Sequence, residues 1–306
     1  MKLEGIHHIT AITADGQENV DFYVGVLGLR LVKKTVNQDD PSVYHLFFAD
    51  ERGSAGADLT FFEFPGAPEG RAGDGMVHQI GWRVASEDAL DFWAGRLGDA
   101  GIDTLRGDGG LVFADPEGLG HELRVVQTPD EPLVAEHPEI PPEYALRGFD
   151  GVRAYAGAPE RSEPLLEALG FERGGESGEW EARGESRGGL LGYDAPPGER
   201  GLGGAGTVHH VAWASTIDEH EAWRGKAMEG GAHPTPVIDR FYFRSIYFRE
   251  PSGVLFEIAT LGPGFTVDEP LETLGEKLSL PPALGHLRER VEATVKPLRN
   301  PRQVRT

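Results

Sequence analysis

The sequence predicts an α+β protein built from four tandem βαβββ modules that form two cup-shaped, mixed β-sheets. The first observation is a repeated order of elements, in which a strand pattern, an amphipathic helix pattern and further strand patterns recur along the 306 residues. The second is a repeated motif, because Ile6-His-His-Ile9 near the start of the chain returns as Val208-His-His-Val211. The length agrees, since 306 residues exceed one average domain.

The first module ends near Pro65. Its helix pattern places apolar residues on one face and stops at Gly28, a residue that commonly follows the end of a helix. The predicted elements are a strand, a helix and three further strands, at residues 3–14, 17–27, 29–32, 43–48 and 59–62.

The same order returns in the three later modules. Ser86 is the predicted cap of the second helix, and Thr216 with Glu219 forms a predicted capping box for the fourth. The predicted helices are residues 86–97, 163–169 and 216–228. The predicted strands are residues 76–84, 111–113, 121–126, 152–155, 241–248 and 254–259, and the fourth module also opens with a strand at Thr207.

The modules group into two halves. Residues 1–130 hold an N-terminal pair of modules, and residues 146–265 hold a C-terminal pair. Residues 131–145 are rich in Pro and Glu without hydrophobic periodicity, so they are predicted to form a linker. Residues 266–306 are a predicted tail with a short helix at residues 284–295.

Composition excludes several classes of protein. The chain has no cysteine, which excludes disulfides, thiolate zinc sites, iron–sulfur clusters and cysteine nucleophiles. A formal charge of −21 argues against nucleic acid as a partner. No apolar run approaches the roughly 18–20 residues of a membrane span, so no membrane partner is predicted. We expect a cytoplasmic protein that forms a homo-oligomer.

The modules differ in the chemistry they carry. Glu257 follows Pro251 at the same spacing at which Glu122 follows Pro116, so the two glutamates occupy equivalent positions. Aligning Trp213 with Trp82 places the second histidine pair over His78 and Gln79, and aligning it with Tyr155 places the pair over Gly151 and Val152. Only the cup shared by the first and fourth modules therefore has a full set of metal ligands. We interpret the other cup, with His78 and Glu122, as a structural relic.

Strand alternation selects three ligands in the complete cup. Side chains alternate between the two faces of a strand, and a cup that admits a substrate needs small neighbours, so His8, His210 and Glu257 are predicted to point inwards. Two histidines and one carboxylate bind non-haem Fe(II) while leaving coordination positions open. Glu63 is an alternative fourth ligand. Aligning Gly56 with Gly253 places Thr60 opposite Glu257 instead, which favours three ligands.

Several segments carry a resemblance to a known family. They are residues 5–10, 44–50, 59–62 and 237–248, the last running into residues 255–260. Over residues 3–265 the chain resembles ring-cleaving, extradiol-type dioxygenases of the vicinal-oxygen-chelate (glyoxalase/bleomycin resistance) superfamily, and is most similar to its hydroquinone-cleaving branch.

The resemblance implies a cofactor and a substrate. The cofactor is Fe(II), with Mn(II) as an alternative, held by His8, His210 and Glu257. The substrates are O2 and a small aromatic diol, of the hydroquinone type in preference to the catechol type, which stays an alternative. The resemblance also implies pocket or catalytic roles for five residues, namely His7, Thr10, His209, Arg240 and Tyr247. A histidine beside the metal suits proton transfer, because its ordinary pKa is near neutrality.

Two other functions stay open on this scaffold. One is a glyoxalase-like isomerase or lyase that uses Ni, Zn or Mn without oxygen, which Glu63 as a fourth ligand would favour. The other is a non-catalytic protein that binds an aromatic drug, which would need neither a metal nor the histidine pairs. No role is predicted for His45.

Overall fold

The computed structural model describes residues 1–107, 110–174 and 178–303. In these ranges the chain forms two eight-stranded sheets and short helices, which confirms the predicted α+β class. The strands, in chain order, are β1 (Ile6–Thr13), β2 (Arg30–Val36), β3 (Tyr44–Ala49), β4 (Asp58–Glu63), β5 (Val77–Val84), β6 (Thr104–Gly107), β7 (Gly110–Ala114), β8 (Gly120–Val125), β9 (Phe149–Tyr155), β10 (Glu172–Gly174), β11 (Glu179–Arg183), β12 (Gly188–Asp194), β13 (Thr207–Ser215), β14 (Ile238–Asp239), β15 (Arg244–Arg249) and β16 (Leu255–Thr260). The α-helices are α1 (Gly16–Val20), α2 (Glu87–Asp99), α3 (Glu163–Ala168), α4 (His220–Glu229) and α5 (Arg288–Thr294).

Each sheet combines modules from the two halves of the chain. The first sheet has the order β14-β15-β16-β13-β1-β4-β3-β2, so it joins the first module to the fourth. The second has the order β10-β11-β12-β9-β5-β8-β7-β6 and joins the second module to the third. In the first sheet, β1 and β13 are antiparallel neighbours at the centre, and each has a parallel strand of its own module on its other side. The two halves at residues 1–130 and 146–265 therefore do not coincide with the sheets.

Of the two predicted helix caps the structure contains one, at Ser86, and it has a further cap at Asp15 that was not predicted. The Asp15 carboxylate accepts from the N–H groups of Gln17 and Glu18 and starts α1, which continues as a π-helix over Asp21–Val26. Ser86 accepts from Ala89 N–H and caps α2, as predicted. The predicted capping box at Thr216 is wrong. A turn precedes α4, which begins only at His220 with no side-chain cap.

The predicted strand at residues 241–248 is also wrong in its first half. β15 begins at Arg244, because Phe241 adopts a left-handed backbone with φ 69° and reverses the chain. The turn is closed by the Arg240 N–H, which donates to the Phe243 carbonyl over 2.9 Å. This interruption turns Arg240, Tyr242 and Phe243 towards the interior of the first cup.

One continuous apolar core joins the sheets to their helices. It includes Trp93 of α2 and Trp223 of α4 together with Trp82 and Trp213 of the two central strands. All four rings are almost fully buried. Because these large side chains fill the outer face of each sheet, the inner face remains for smaller and polar residues.

The tail lies against the outer strand of the first sheet. Ser279 N–H donates to the Lys34 carbonyl over 2.8 Å, and the Arg30 guanidinium donates to the Leu271 carbonyl over 2.8 Å. The predicted tail helix at residues 284–295 is present as a 3-10 helix, Pro282–Leu287, followed by α5. Across the part of the chain that is described, no helix has the length and apolar character to cross a membrane.

Candidate metal centre

Three side chains from both ends of the chain converge in the first cup. Nε2 of His8 lies 3.2 Å from Nε2 of His210, and Oε2 of Glu257 lies 3.2 Å and 2.9 Å from these two atoms. All three residues are buried. In the described residues they are the only group of three or more acidic or imidazole side chains with metal-binding spacing. We call His8, His210 and Glu257 the metal centre.

The spacing fits one ion. Ligand atoms bound at about 2.1 Å in neighbouring coordination positions lie about 3.0 Å apart. The three distances of the metal centre, 2.9–3.2 Å, match that separation. Neither carboxylate oxygen of Glu257 has a hydrogen bond of normal geometry in the described structure, although the imidazoles are close. A buried carboxylate without hydrogen bonds is costly, and a cation would compensate it.

Electrostatics favour the charge state that a metal requires. Burial raises the pKa of Glu257, but the imidazoles of His8 and His210 outweigh burial and hold this pKa well below its usual value. Burial lowers the pKa of His210, against the opposing effect of Glu257. Near neutral pH the arrangement therefore offers an ionised carboxylate and an imidazole with a free lone pair.

A β-bulge carries each histidine pair. Ile6 pairs with Trp213 and His8 with Ala212, so His7 is the extra residue of β1. Thr10 pairs with His210 and Ala11 with Val208, so the extra residue of β13 is His209. A bulge interrupts the alternation of side chains. Both imidazoles of each pair therefore stay in contact, with the two Nδ1 atoms 2.9 Å apart in the first pair and 2.8 Å apart in the second.

His7 is placed behind His8 and not on the metal. Nε2 of His7 lies 3.1 Å from the Thr260 carbonyl, which can only accept, so this nitrogen carries the proton. Nδ1 of His7 then accepts from Nδ1–H of His8, and Nε2 of His8 keeps its lone pair for the metal centre. Burial, followed by the neighbouring His8, lowers the pKa of His7 to about 3. A neutral His7 thus holds His8 in the tautomer that binds metal.

His209 contacts His210 as His7 contacts His8, but the surroundings of the two rings differ. Its ring is exposed, and it lies with its centroid 5.6 Å from that of Phe62. Its Nδ1 contacts Nδ1 of His210 as His7 contacts His8. The structure therefore places His7 and His209 in contact with the imidazoles of His8 and His210.

The structure does not bring Glu63 to the metal centre. Its Oε1 accepts from the Gly16 N–H over 3.0 Å, at the start of α1. Thr60 occupies the position equivalent to Glu257, because Thr10 pairs with Thr60 as Ala212 pairs with Glu257. The first module thus contributes a hydroxyl where the fourth contributes a carboxylate.

A pocket of about 440 Å³ of empty space, open to solvent on one side, reaches the metal centre. Its walls combine aromatic and polar side chains, and they include four of the predicted site residues, namely His8, His210, Arg240 and Tyr247. The Arg240 guanidinium makes a two-pronged contact with Asp39, at 3.1 and 2.9 Å, and lies 5.5 Å from the centre of the Tyr247 ring. Burial raises the pKa of Tyr247, so its hydroxyl stays protonated.

Thr10 and His45 are linked through Thr60. The Thr10 and Thr60 hydroxyls are 2.8 Å apart, and Nε2 of His45 lies 2.9 Å from the Thr60 hydroxyl. Of the three, His45 lines the pocket. Sequence reasoning missed it, although the signal was present. His45 shares a strand face with Phe47, and β3 pairs these two with Phe62 and Thr60 of β4.

The second cup is filled by ion pairs, which agrees with its interpretation as a relic. Glu122 pairs with Gly81 as Glu257 pairs with Ala212, so the predicted equivalence of the two glutamates is correct. Nε2 of His78 lies 2.8 Å from Asp194, and the Arg153 guanidinium also binds this carboxylate.

The predicted alignment of the third module is wrong by one residue. Gly81 pairs with Gly151 and Trp82 with Phe149, so Asp150 is a bulge residue. Asp150 and Gly151 therefore occupy the positions of His209 and His210, in place of the predicted Gly151 and Val152. The error lies in the anchor, because Ala154 pairs with Val77 as Trp213 pairs with Ile6, so Ala154 and not Tyr155 occupies the position of Trp213.

Comparisons with known proteins agree with this fold and centre. The profile of the Glyoxalase/Bleomycin resistance protein/Dioxygenase superfamily matches residues 5–123. The "Putative ring-cleaving dioxygenase MhqO" of Bacillus subtilis (strain 168) is 42% identical to this chain over an alignment of 305 positions that covers 97% of each protein. The chain belongs to this superfamily. The resemblance deduced from the sequence is thereby confirmed.

Two further relatives of this superfamily are informative. The chlorohydroquinone/hydroquinone 1,2-dioxygenase of Sphingobium indicum is 32% identical over an alignment of 313 positions that covers 96% of each protein. A crystal structure of a Bacillus subtilis protein described as a dioxygenase superposes with a TM-score of 0.90 at 40% identity, covering 98% of both chains. All three names contain the word dioxygenase; one adds that it is ring-cleaving, and one names chlorohydroquinone and hydroquinone.

Proposed function

We propose that this chain is an Fe(II)-dependent, extradiol-type ring-cleaving dioxygenase that acts on a hydroquinone-type aromatic diol and O2, with Mn(II) as an alternative ion. The observation that carries the proposal is the metal centre itself, in which three ligand atoms 2.9–3.2 Å apart lie at an aromatic pocket. Three protein ligands leave coordination positions open for a phenolic oxygen and for O2. The names of the relatives support the substrate class.

The pocket residues fit a flat, aromatic ligand. Phe47, Phe62 and Phe243 form apolar walls that bind a ring and exclude water. Bound Fe(II) supplies the electron transfer between a phenolate and O2, a reaction that spin conservation otherwise slows. The protonated hydroxyl of Tyr247 can donate a hydrogen bond to an oxygen beside His210, whose ring centroid lies 5.7 Å from that of Tyr247. Arg240, at the pocket wall, can stabilise negative charge.

The other predicted site residues, His7, His209 and Thr10, act by orienting neighbouring side chains. His7 and His209 orient His8 and His210, and Thr10 orients His45 through Thr60. Proton transfer from the substrate to His7 or His209 stays a prediction. The glyoxalase-like alternative is disfavoured, because the carboxylate that would complete a four-ligand set is bound to Gly16.

Oxygen uptake tests the proposal. Protein loaded anaerobically with Fe(II) is given methylhydroquinone and, separately, catechol, and oxygen consumption is followed with an electrode while the product is identified by mass spectrometry. We expect one O2 consumed per ring cleaved, with the para-diol preferred. The control is Glu257→Gln treated identically, which should consume none. No uptake with either diol, together with turnover of a methylglyoxal–thiol adduct, would replace the proposal by the isomerase alternative.

A further inference from the structure

Two polar side chains face the aromatic pocket on the strands farthest from the metal centre. Thr35 of β2 and His45 of β3 are direct partners across the two strands, and both line the pocket. Their neighbours on the wall are Phe47 and Phe62, whose ring centroids lie 4.0 and 4.4 Å from that of His45. A polar pair thus lies among aromatic side chains of this part of the wall.

Neither side chain has its hydrogen bonds fully satisfied by the protein. The Thr35 hydroxyl is buried and has no hydrogen-bond partner in the described structure. Nε2 of His45 contacts the Thr60 hydroxyl, while its Nδ1 forms no hydrogen bond within residues 1–107, 110–174 and 178–303. Buried polar groups are nearly always hydrogen-bonded, so the unpaired Thr35 hydroxyl, beside a half-buried His45 with one ring nitrogen unused, indicates a ligand at this wall of the pocket.

Two features allow this pair to bind one hydroxyl group. Burial lowers the pKa of His45 well below its usual value, so the ring is neutral and has one nitrogen that accepts. A threonine hydroxyl rotates freely to donate. A ligand hydroxyl can therefore donate to the imidazole of His45 and accept from Thr35 at the same time.

The position of Thr35 and His45 relative to the metal centre determines which spacing of ligand hydroxyls can reach both sites. In the sheet order β13-β1-β4-β3-β2, β4 separates the histidine ligand strands from β3 and β2. Neighbouring strands lie about 4.8 Å apart, so β1 and β3 are roughly 10 Å apart before side chains extend into the cup. The hydroxyls of a para-diol point away from each other and can reach both sides of this gap. The adjacent hydroxyls of a catechol reach only one side.

We propose that Thr35 and His45 form a subsite that binds the second hydroxyl of a para-diol whose first hydroxyl lies at the metal centre. The identity of the ligand rests on the proposed function. The subsite gives the pocket its preference for hydroquinones, and it leaves the second hydroxyl as a bound group that does not contact the metal.

Ligand binding without turnover tests the subsite. Calorimetry on the Fe(II)-loaded protein under anaerobic conditions measures Kd for hydroquinone and for phenol, which differ only in the second hydroxyl. The ratio of Kd for phenol to Kd for hydroquinone should be about ten in the wild-type protein, as expected for the hydrogen bonds of one hydroxyl. It should fall to about one in Thr35→Val, which removes the hydroxyl at nearly constant volume. His45→Phe, which keeps the aromatic wall, should behave alike, and Thr35→Ser should keep the wild-type ratio.

The outcomes separate the subsite from the reaction. A wild-type ratio near one, or an unchanged ratio in both Thr35→Val and His45→Phe, overturns the subsite even if the wild-type protein cleaves rings. A ratio that falls in the variants supports the subsite even if no oxygen is consumed, in which case the proposed function fails alone. Iron content and circular dichroism verify that each variant keeps the metal centre, and either variant suffices if the other does not fold.

Discussion

Replacing His7, whose imidazole contacts His8, should weaken metal binding more than replacing His209, whose imidazole contacts His210. His7→Phe keeps a flat ring but takes away the only nitrogen that accepts from Nδ1–H of His8, at 2.9 Å. His8 is 1% exposed, so water cannot replace that partner. An unpaired buried donor costs about 1–3 kcal/mol. This agrees with the roughly 10- to 100-fold loss of metal affinity found when a partner of a ligating histidine is removed.

The matched control is His209→Phe. It breaks the same Nδ1–Nδ1 contact, at 2.8 Å, but the side chain it removes is exposed and solvent can occupy its place. Only the net value of a hydrogen bond, about 0.5–1.5 kcal/mol, is then lost, which corresponds to less than about ten-fold. His7→Asn supplies an acceptor of similar reach, so it should recover part of the affinity lost in His7→Phe.

Anaerobic titration with Fe(II) against a coloured chelator measures these affinities, and thermal melting without metal separates loss of affinity from loss of fold. Equal losses in His7→Phe and His209→Phe, or a larger loss in His209→Phe, would show that burial does not decide the strength of these contacts. No loss in either variant would refute the tautomer assignment for His8.

Three further results are expected. Glu257→Gln should lose the metal, whereas Tyr247→Phe should keep it and slow turnover, as iron analysis beside oxygen uptake will show. Lys33→Met should lower the free energy of unfolding by about 3–5 kcal/mol in urea titrations, because two carboxylates of the tail bind the buried ammonium. The control is the same change at half-buried Lys34, which should cost less than about 1 kcal/mol. Burial raises the pKa of Asp115 to about 6, against about 3.9 in the unfolded chain, so the folded state binds more protons between these two pH values. The free energy of unfolding should therefore fall as pH rises from about 4 to 6, by about 3 kcal/mol relative to that of Asp115→Asn. A pH series of urea midpoints that runs parallel in both proteins would exclude this last effect.

The order of elements could be predicted from sequence because the repeat supplied four observations of one pattern. Strands rich in apolar residues, such as β5 and β16, were found in nearly their full length. The missed strands include short and polar ones, as in Thr104–Gly107 and Glu172–Gly174, and a glycine-rich one, Gly188–Asp194. Their hydrogen bonds to a neighbouring strand, and not their own side chains, define them, and pairing is not visible in one sequence.

The convergence of the metal centre could be predicted because it depends on alternation within single strands. The contacts around it could not, because they depend on bulges and on neighbouring strands. Alternation alone would turn His7 away from His8, whereas the bulge keeps the two rings in contact. The position of His45 in the pocket requires the pairing of β3 with β4 and β2, which the sequence analysis did not use.

The second cup shows why a repeated fold retains one centre. It has the same two bulges and the equivalent glutamate, but the position of His210 is occupied by Gly151. A Cβ at Gly151 would lie 2.6 Å from both Cβ and the carbonyl oxygen of Leu190, so no side chain fits there without moving a backbone strand. Overpacking of this kind is destabilising. A histidine cannot be accommodated at Gly151 by substitution alone, and the protein should bind one ion per chain. Two ions per chain in metal analysis of the purified protein would contradict this reasoning.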